Sequence, residues 1–516
     1  MRHSTLVVLI ALAVGIKLAL AALIPLTGDE AYFLQYARNV DWGGFYDHPP
    51  MVGWMLWLTE RIGAHPLVLR SPAIATGLLL PWLTYRLLCP ADARRAQLVA
   101  LLLLYTPIFL IFVFITTDVG VVLFGFLSLF AVHRGRERGD ARWLAAGGAF
   151  LGLAFLSKYF AVLLGAAYAF HWLMWDRRNW RGLAIVLLVA LPFGLLNLAW
   201  NWLHCWDNVM FNVFNRNSGG DLSLGGPALY LATLVYLFAF PLWWVARQRH
   251  DVYAAVRRLR LGLFASVVLA PLGLFALISL FAEVGLHWLL LFVPAAYPMY
   301  AGLSVVALRR ALVLMVGFAF LHVAALLALT LPPVSVFAGT ALHRDAVVYL
   351  APEAFARAIP EMDVDFQATN SYSRSAVLSY YDETSWSVFG TGSKHARLDD
   401  RLSDWRSRDG GTMLYTEGTA ELSVDELEPY FDAIELHRIE AGGLPFAVAV
   451  ARGFDYARYR QDVLARIRER YYQIPGFLPV GGCPFLERYF PETERMSAAA
   501  HAPIRLCGGG TKRDDA

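Results

Sequence analysis

Gly28-Asp29-Glu30-Ala31-Tyr32 follows the first apolar run of this 516-residue chain, and Asp47-His48-Pro49-Pro50 lies in the same loop. Asp118 follows the third apolar run and Lys158 the fifth. Carboxylates of this kind can take a proton from an incoming hydroxyl, and Lys, Arg or His can hold an anionic group as it departs. Each of these residues is reached after an odd number of apolar runs. Charge at a membrane boundary is costly and is kept mainly for work, so the segregation predicts a single active site on one face. A plainer role stands beside each chemical one. Asp29 and Glu30 suit the acidic first turn of a helix, and Asp118, after Thr116-Thr117, suits a helix cap. Lys158 and Arg70 either snorkel to the surface or clamp a phosphate. His48, driven out of the helical region by the proline after it, either contacts a phosphate or lies exposed. Glu283 and His287 are spaced i,i+4 and would share a helical face, binding phosphate or metal there or hydrogen-bonding each other.

The elements that position these residues follow from composition. Hydrophobic residues make up 58% of the chain and charged residues 16%, too little charge for a soluble protein of this size. A membrane span needs ~20 mainly apolar residues, and eleven stretches are candidates: about 5–26, 66–88, 96–115, 118–133, 143–157, 159–175, 182–203, 227–246, 261–282, 286–306 and 311–331. Of the 85 charged residues, 47 follow Leu331. The chain therefore divides into a polytopic α-helical part, 1–331, and a soluble part, 332–516. Up to Leu331, 18 of the 24 basic residues fall at Arg2 or on alternate loops, among them Arg134, Arg136, Arg138 and Arg142, and Arg247, Arg249, Arg257, Arg258 and Arg260. By the positive-inside rule the N-terminus is cytoplasmic, and eleven crossings carry the soluble part outside, beside the acidic loop. The opening apolar run to Leu26 resembles a cleaved signal peptide with Ala19-Leu20-Ala21 as a small-residue site, but the many later spans favour a retained anchor. Basic residues lie in short loops rather than in one patch, which excludes nucleic acid as a partner.

Loop 27–65 is too long for a simple connector. Residues 29–39 and 51–62 have helical spacing with aromatics, as in helices lying in a membrane interface, and Gly43-Gly44 and Pro49-Pro50 force turns between them. The Asn- and Gly-rich loop 204–226 reads as flexible. In the soluble part, the runs 376–381, 412–415 and 446–450 are β-like and 455–471 is helical, predicting a small α/β domain. Four cysteines exclude a disulfide-dependent scaffold. Cys483 and Cys507 either pair with each other or remain thiols.

In combination, Gly-Asp-Glu-Ala-Tyr, Asp-His-Pro-Pro, Arg70, Asp118 and Leu156-Ser157-Lys158-Tyr159 resemble the polyprenyl-phosphate-sugar-dependent GT-C glycosyltransferases of family 39. These are relatives of dolichyl-phosphate-mannose protein mannosyltransferases and of bacterial lipid A aminoarabinose transferases. Asn197 to Trp206 and His287-Trp288 onward are also similar to bacterial members. The resemblance implies a GT-C fold in the inner membrane, a polyprenyl-phosphate sugar as donor, and an extracytoplasmic acceptor: lipid A, another glycolipid, a polysaccharide or a protein. It maps the base to Asp29, supporting acids near the sugar to Glu30 and Asp118, and a phosphate-side cation to His48. The aminoarabinose enzymes have Glu-Lys-Pro where this chain has Asp47-His48-Pro49, so that sugar is not implied. Displacement of the phosphate by an acceptor hydroxyl, assisted by a single base, inverts the anomeric centre, by analogy with inverting glycosidases. A divalent cation is not required by the sequence, since Asp-Glu is not a full ligand set. The alternative reading is a transporter or flippase for polyprenyl-linked glycans.

Overall fold

Thr27 opens the second helix with a capping box: its hydroxyl accepts from the Glu30 amide at 3.3 Å, and the Glu30 carboxylate accepts from the Thr27 amide at 3.1 Å. Such local signals set many of the boundaries in the computed structural model, which describes residues 3–215, 225–393 and 397–491. The helices that matter below are α1 His3–Leu23, α2 Gly28–Arg38, α3 Met51–Glu60, α4 Ser71–Leu88, α5 Ala93–Leu104, α6 Thr117–Arg138, α7 Ala141–Phe155, α8 Ala161–Trp175, α9 Trp180–Leu203, α10 Gly225–Phe238, α11 Pro241–Arg247, α12 Arg249–Arg258, α13 Gly262–Ile278 and α14 Val305–Thr330. The two helices expected in the first loop, over 29–39 and 51–62, are α2 and α3.

Among the described residues four helices are long and apolar enough to cross a membrane alone: α1, α6, α9 with its lead-in from Arg177, and α14. At ~1.5 Å per residue, the 21 residues of α1 reach about 31 Å, the thickness of a hydrocarbon core. Helices α7, α8 and α13 are apolar but shorter. Four expected spans are not continuous helices, and in the first, 66–88, the turn Pro66–Leu69 is separated from α4 at Arg70. The stretch 96–115 breaks after Leu104 at Thr106-Pro107. Carbonyls freed there, those of Phe109 and Phe112, accept from the buried Lys17 ammonium of α1 at 2.5 and 3.4 Å, which satisfies backbone that lipid cannot. The stretch 227–246 bends by 95° between α10 and α11, where Ala239 has φ +43° and Pro241 starts a new helix. The stretch 286–306 consists of the short turns Leu286–Leu289, Val293–Ala296 and Tyr297–Gly302, because Pro294 and Pro298 each lack the N–H that a continuous helix needs.

Helix α6 ends at Gly139, whose φ of +63° caps it in the left-handed region, and Asp140 caps α7. The resulting tight turn folds α7 back on α6. On its other side α7 meets α9 so closely that a Cβ on Gly148 would lie 2.4 Å from the Val186 carbonyl oxygen; small residues allow such approach.

Beyond α14 the chain builds a five-stranded sheet in the order β2-β1-β3-β5-β4, with β1 Phe366–Thr369, β2 Trp386–Val388, β3 Met413–Tyr415, β4 Ala433–Ala441 and β5 Leu444–Arg452. Strand β1 is parallel to β2 and β3, whereas β5 is antiparallel to β3 and β4. Side chains alternate between two cores: Phe366, Met413, Tyr415 and Ala449 on one face, Leu414, Val448 and Val450 on the other. The α/β expectation agrees with this arrangement, except that 376–381 lies in helix α15, Tyr372–Tyr381, the crossover that a parallel β1–β2 pair requires. Cys483 is bonded to Cys205, not to Cys507, which lies outside the described residues. Through this bond the end of α9 is tied to the C-terminal segment.

Candidate active site

Helix α15 lies across the start of α2. A Cβ on Gly28 would stand 2.6 Å from the Ser373 Cβ, so only glycine lets the two helices meet here. Around that contact the Leu26 amide donates to the Tyr381 hydroxyl at 3.2 Å, the Tyr380 hydroxyl donates to the Ala64 carbonyl at 2.7 Å, and Arg401 pairs with Asp41 at 2.7 Å. The part of the chain after α14 thus grips the first loop, and the two adjacent acids of that loop point different ways.

Glu30 points inward. Its two oxygens accept from Arg70 Nε at 2.8 Å and Nη2 at 2.7 Å, and from the Ile115 amide at 2.9 Å. Arg70 donates onward to the carbonyls of Ala21, Ile24 and Pro25 at 2.7 to 3.0 Å. Both side chains have no exposed surface. The Arg70 fork is thereby engaged by the end of α1, the linker after it and Glu30 of α2, and the pair joins these to the segment entering α6.

Asp29, by contrast, is exposed. The Tyr372 hydroxyl donates to its Oδ1 at 3.1 Å. The Tyr372 ring meets Tyr32 edge-on with centroids 5.3 Å apart. Tyr32 and Tyr36 both donate to the buried Asp47 carboxylate, Tyr32 at 3.4 Å. His48 Nε2 lies 3.8 Å from the other Asp47 oxygen, with its ring against Phe33 and Phe211. A continuous run of contacts therefore links Asp29 to His48. Behind Tyr372 is a cavity of about 160 Å³ lined by Ser371, Tyr372, Arg397 and Asp399, among others.

His48 and its prolines lead directly to the other charged corner. The Met51 amide donates to the Leu156 carbonyl at 3.0 Å, which sets the start of α3 against the end of α7. Two residues on, Lys158 donates to Asp118 Oδ1 at 2.8 Å. Asp118 sits in the first turn of α6, capped by Thr116; both members of the pair are largely buried. Lys158 lies 5.7 Å from the Phe160 ring, and that ring is 5.1 Å from Trp288, so the segment after Glu283 approaches the same corner. Glu283 and His287 are both exposed, but they do not share a helical face. The chain is non-helical over 283–285 and turns helical only at Leu286, after Gly285 in an extended conformation. Among the described residues no three His, Cys, Asp or Glu side chains gather as a metal site.

Two parts of the site lie wholly or partly outside the motifs, which included Asn197 and Tyr159 of the second but not Asn208 or Asn212. One is Tyr372, 343 positions from Asp29. The other is an asparagine clamp. Asn197 donates to the Gly43 carbonyl at 2.7 Å, Asn208 to the carbonyls of Phe45 and Tyr46, and Asn212 to that of Asp47 at 3.1 Å. Tyr159 donates to Asn197 and Asn208 at 2.7 Å each. Residues 207–215, expected to be flexible, are helical and hold the loop that carries His48; 216–224 lie outside the described residues. The signal was the cluster of asparagines itself, since amides offer a backbone both donors and acceptors.

Comparison with known proteins settles the fold. ArnT from Cupriavidus metallidurans bound to undecaprenyl phosphate superposes with a TM-score of 0.60 over 87% of this chain and 98% of that one, at 15% identity. In the apo state it gives a TM-score of 0.59. The chain has the GT-C glycosyltransferase fold. Residues 47–202 match the dolichyl-phosphate-mannose-protein mannosyltransferase family, and this stretch of the GT-C fold includes His48, Arg70, Asp118 and Lys158. The lipid A galacturonosyltransferase RgtD of Rhizobium johnstonii is 30% identical over 184 residues, which is 34% of this chain and 38% of that protein's length. The resemblance read from the motifs thus agrees with the family match over 47–202 and with the fold, and the chain spans well under half the length of the galacturonosyltransferase it matches.

Proposed function

We propose that this chain is an inverting glycosyltransferase that moves a sugar from a polyprenyl-phosphate donor to an acceptor outside the cytoplasm. The observation that carries the reading is the convergence, on one rim of a GT-C fold, of an exposed carboxylate, Asp29, with two cationic positions, His48 and Lys158. Asp29 takes the proton of the acceptor hydroxyl. The acceptor oxygen then attacks the anomeric carbon from the face opposite the phosphate, the carbon–oxygen bond to the phosphate breaks, and configuration inverts. The polyprenyl phosphate leaves as an anion, so it needs no proton, only cations placed where charge develops. Lys158, oriented by Asp118, and His48 supply them. Glu30 and Arg70 are assigned to positioning: with their polar atoms engaged inside the protein, they hold Asp29 at the start of α2. Glu283 and His287, exposed near Trp288, are assigned to the edge of the substrate site.

A lipid A-type glycolipid is the favoured acceptor, supported by the named activity of the galacturonosyltransferase relative. Both hexosyl and pentosyl donors fit the chemistry. In this reading residues 1–331 form the membrane part, with eleven crossings and a cytoplasmic N-terminus, and 332–516 form a periplasmic domain. Reporters are expected to be accessible from outside the cell at Asp345 and inaccessible after Arg138 and Arg258; an externally accessible Arg138 loop would overturn the topology. For the reaction, purified protein in lipid is expected to use a polyprenyl-phosphate sugar and not a nucleotide sugar. Lys158→Ala should weaken use of that donor. Direct transfer from a nucleotide sugar, with no lipid intermediate, would refute the mechanism.

A further inference from the structure

Helices α6, α8, α12 and α13 enclose a second, larger cleft, of about 1100 Å³, at the end of the bundle remote from Asp29. Asp118 and Arg136 mark the two ends of α6, and the 18 residue steps from one to the other span about 27 Å at ~1.5 Å per residue. The cleft therefore belongs to neither the candidate active site nor the cavity behind Tyr372.

Its lining has two chemically distinct parts. Arg249, Arg257 and Arg260 are exposed there, and among the described residues none of the three is in an ion pair. The acids of the cleft are already engaged: Asp176 accepts from Arg136 at 2.9 Å, and Glu137 lies 3.4 Å from both His133 and Arg134. The excess charge is therefore positive. The apolar part is formed by Phe170, Trp175 and Leu269, which are 43%, 64% and 68% exposed. Helix α12 bridges the two parts, turning Val252, Ala255 and Val256 inward while Arg257 and Arg258 remain exposed, the pattern of a helix lying in a membrane interface.

We propose that this cleft binds an anionic membrane phospholipid, its phosphate held by Arg249, Arg257 and Arg260 and its acyl chains lying along Phe170, Trp175 and Leu269. Guanidinium groups match phosphate oxygens in paired hydrogen bonds and are weakly hydrated, and basic pockets between membrane helices favour anionic headgroups. A soluble phosphate would use the arginines but leave the apolar part of the lining unused; a zwitterionic lipid would fill the apolar part but leave the excess charge unmatched. The inference rests on the membrane location alone and not on the proposed transfer reaction.

The test uses the full-length protein, delipidated and then offered phosphatidylglycerol or phosphatidylcholine, with bound lipid counted by native mass spectrometry. Wild type is expected to prefer phosphatidylglycerol by about tenfold or more, because each basic residue near an anionic lipid surface strengthens binding several-fold. The triple variant Arg249→Gln, Arg257→Gln, Arg260→Gln should lose that preference. A control that removes the same charge from other exposed positions, Arg94→Gln, Arg309→Gln, Arg310→Gln, should keep it. Leu269→Asp, which leaves every arginine in place but puts an anion in the apolar part, should weaken phosphatidylglycerol binding and covers the case of a triple variant that does not fold. Equal binding of the two lipids would overturn the proposal, as would an equal loss in the control. Displacement of phosphatidylglycerol by millimolar inorganic phosphate would also overturn it, making the cleft a site for free anions.

Discussion

Tyr372 donates its hydroxyl to Asp29 across 343 residues of sequence, at 3.1 Å. Burial, reinforced by the charge of Asp29, pushes the phenol above its ordinary range, so it remains the protonated partner at any physiological pH. Asp29 is thus a carboxylate on an exposed rim, held by one neutral donor that the sheet-bearing part of the chain supplies.

Asp29→Asn is expected to lower sugar transfer by ~10²-fold or more, the lower range for a lost general base, with no change in the amount of protein in the membrane, since Asp29 is exposed. Tyr372→Phe keeps the base but loses its donor; a hydrogen bond to a charged group is worth ~1.5–3 kcal/mol, so a loss of about tenfold in kcat is expected. Transfer assays on both variants check this. Near-wild-type transfer by Asp29→Asn would move the base elsewhere on the rim.

Glu30 stands next to Asp29 but should behave differently. Breaking a buried ion pair from one side leaves the other charge uncompensated, at a cost of ~3–5 kcal/mol. Glu30→Gln and Arg70→Met should therefore each lower the thermal midpoint of the purified protein, whereas Asp29→Asn should not. Combining the two should cost less than the sum of the singles, because the partners share one network. A Glu30→Gln protein as stable as wild type but inactive would instead make Glu30 a group that touches substrate.

The contrast between these neighbours marks how much of the site was legible in the sequence. Local signals carried well: the acids after α1, the turns at Pro49-Pro50 and the helices α2 and α3 all depend on residues within a few positions of one another. Asp29 and Glu30 looked like a single acidic pair because adjacent residues on a helix diverge by ~100°, and only packing decides which one turns inward. Residues 376–381 looked like a strand because valine and tyrosine favour sheets; they are helical because one face of α15 is buried against the sheet and α2. For Glu283 and His287 the i,i+4 spacing presumed a helix that begins only after Gly285. Tyr372 had no local signal at all, since its role exists only once α15 has docked on α2.

The Cys205–Cys483 bond gives a prediction about compartment. Around it the Cys205 amide donates to the Gly482 carbonyl at 3.0 Å and the Trp206 indole to the Pro479 carbonyl at 2.8 Å, so the segment 479–483 is seated on the end of α9. Disulfides persist in oxidising compartments, and their removal costs ~2–5 kcal/mol in small secreted domains. Peptide mapping of protein taken from cells under alkylating conditions is expected to recover linked peptides bearing Cys205 and Cys483. Cys205→Ser should lower the thermal midpoint. Recovery of both cysteines in alkylated form, without reduction, would place this face in a reducing compartment and contradict the proposed periplasmic location.

Asp399 predicts a pH dependence of stability. Burial, and then the charge of neighbouring Asp400, push its carboxyl up from 3.8 to about 7, against the opposing pull of Arg408 and Arg397. The folded protein therefore holds a proton over a range in which the unfolded chain has released it. The resulting stabilisation is fully present below about pH 4 and is lost as pH climbs to about 7. At ~1.4 kcal/mol per pKa unit the effect is at most about 4 kcal/mol, and it is reduced by the part of Asp399 that solvent still reaches. Asp399→Asn, which keeps the shape and cannot ionise, should flatten this contribution. Thermal midpoints measured between pH 5 and 8 are expected to fall more steeply in wild type than in Asp399→Asn, with the variant the more stable of the two at pH 8. Parallel curves for the two proteins would show that Asp399 is ionised throughout this range.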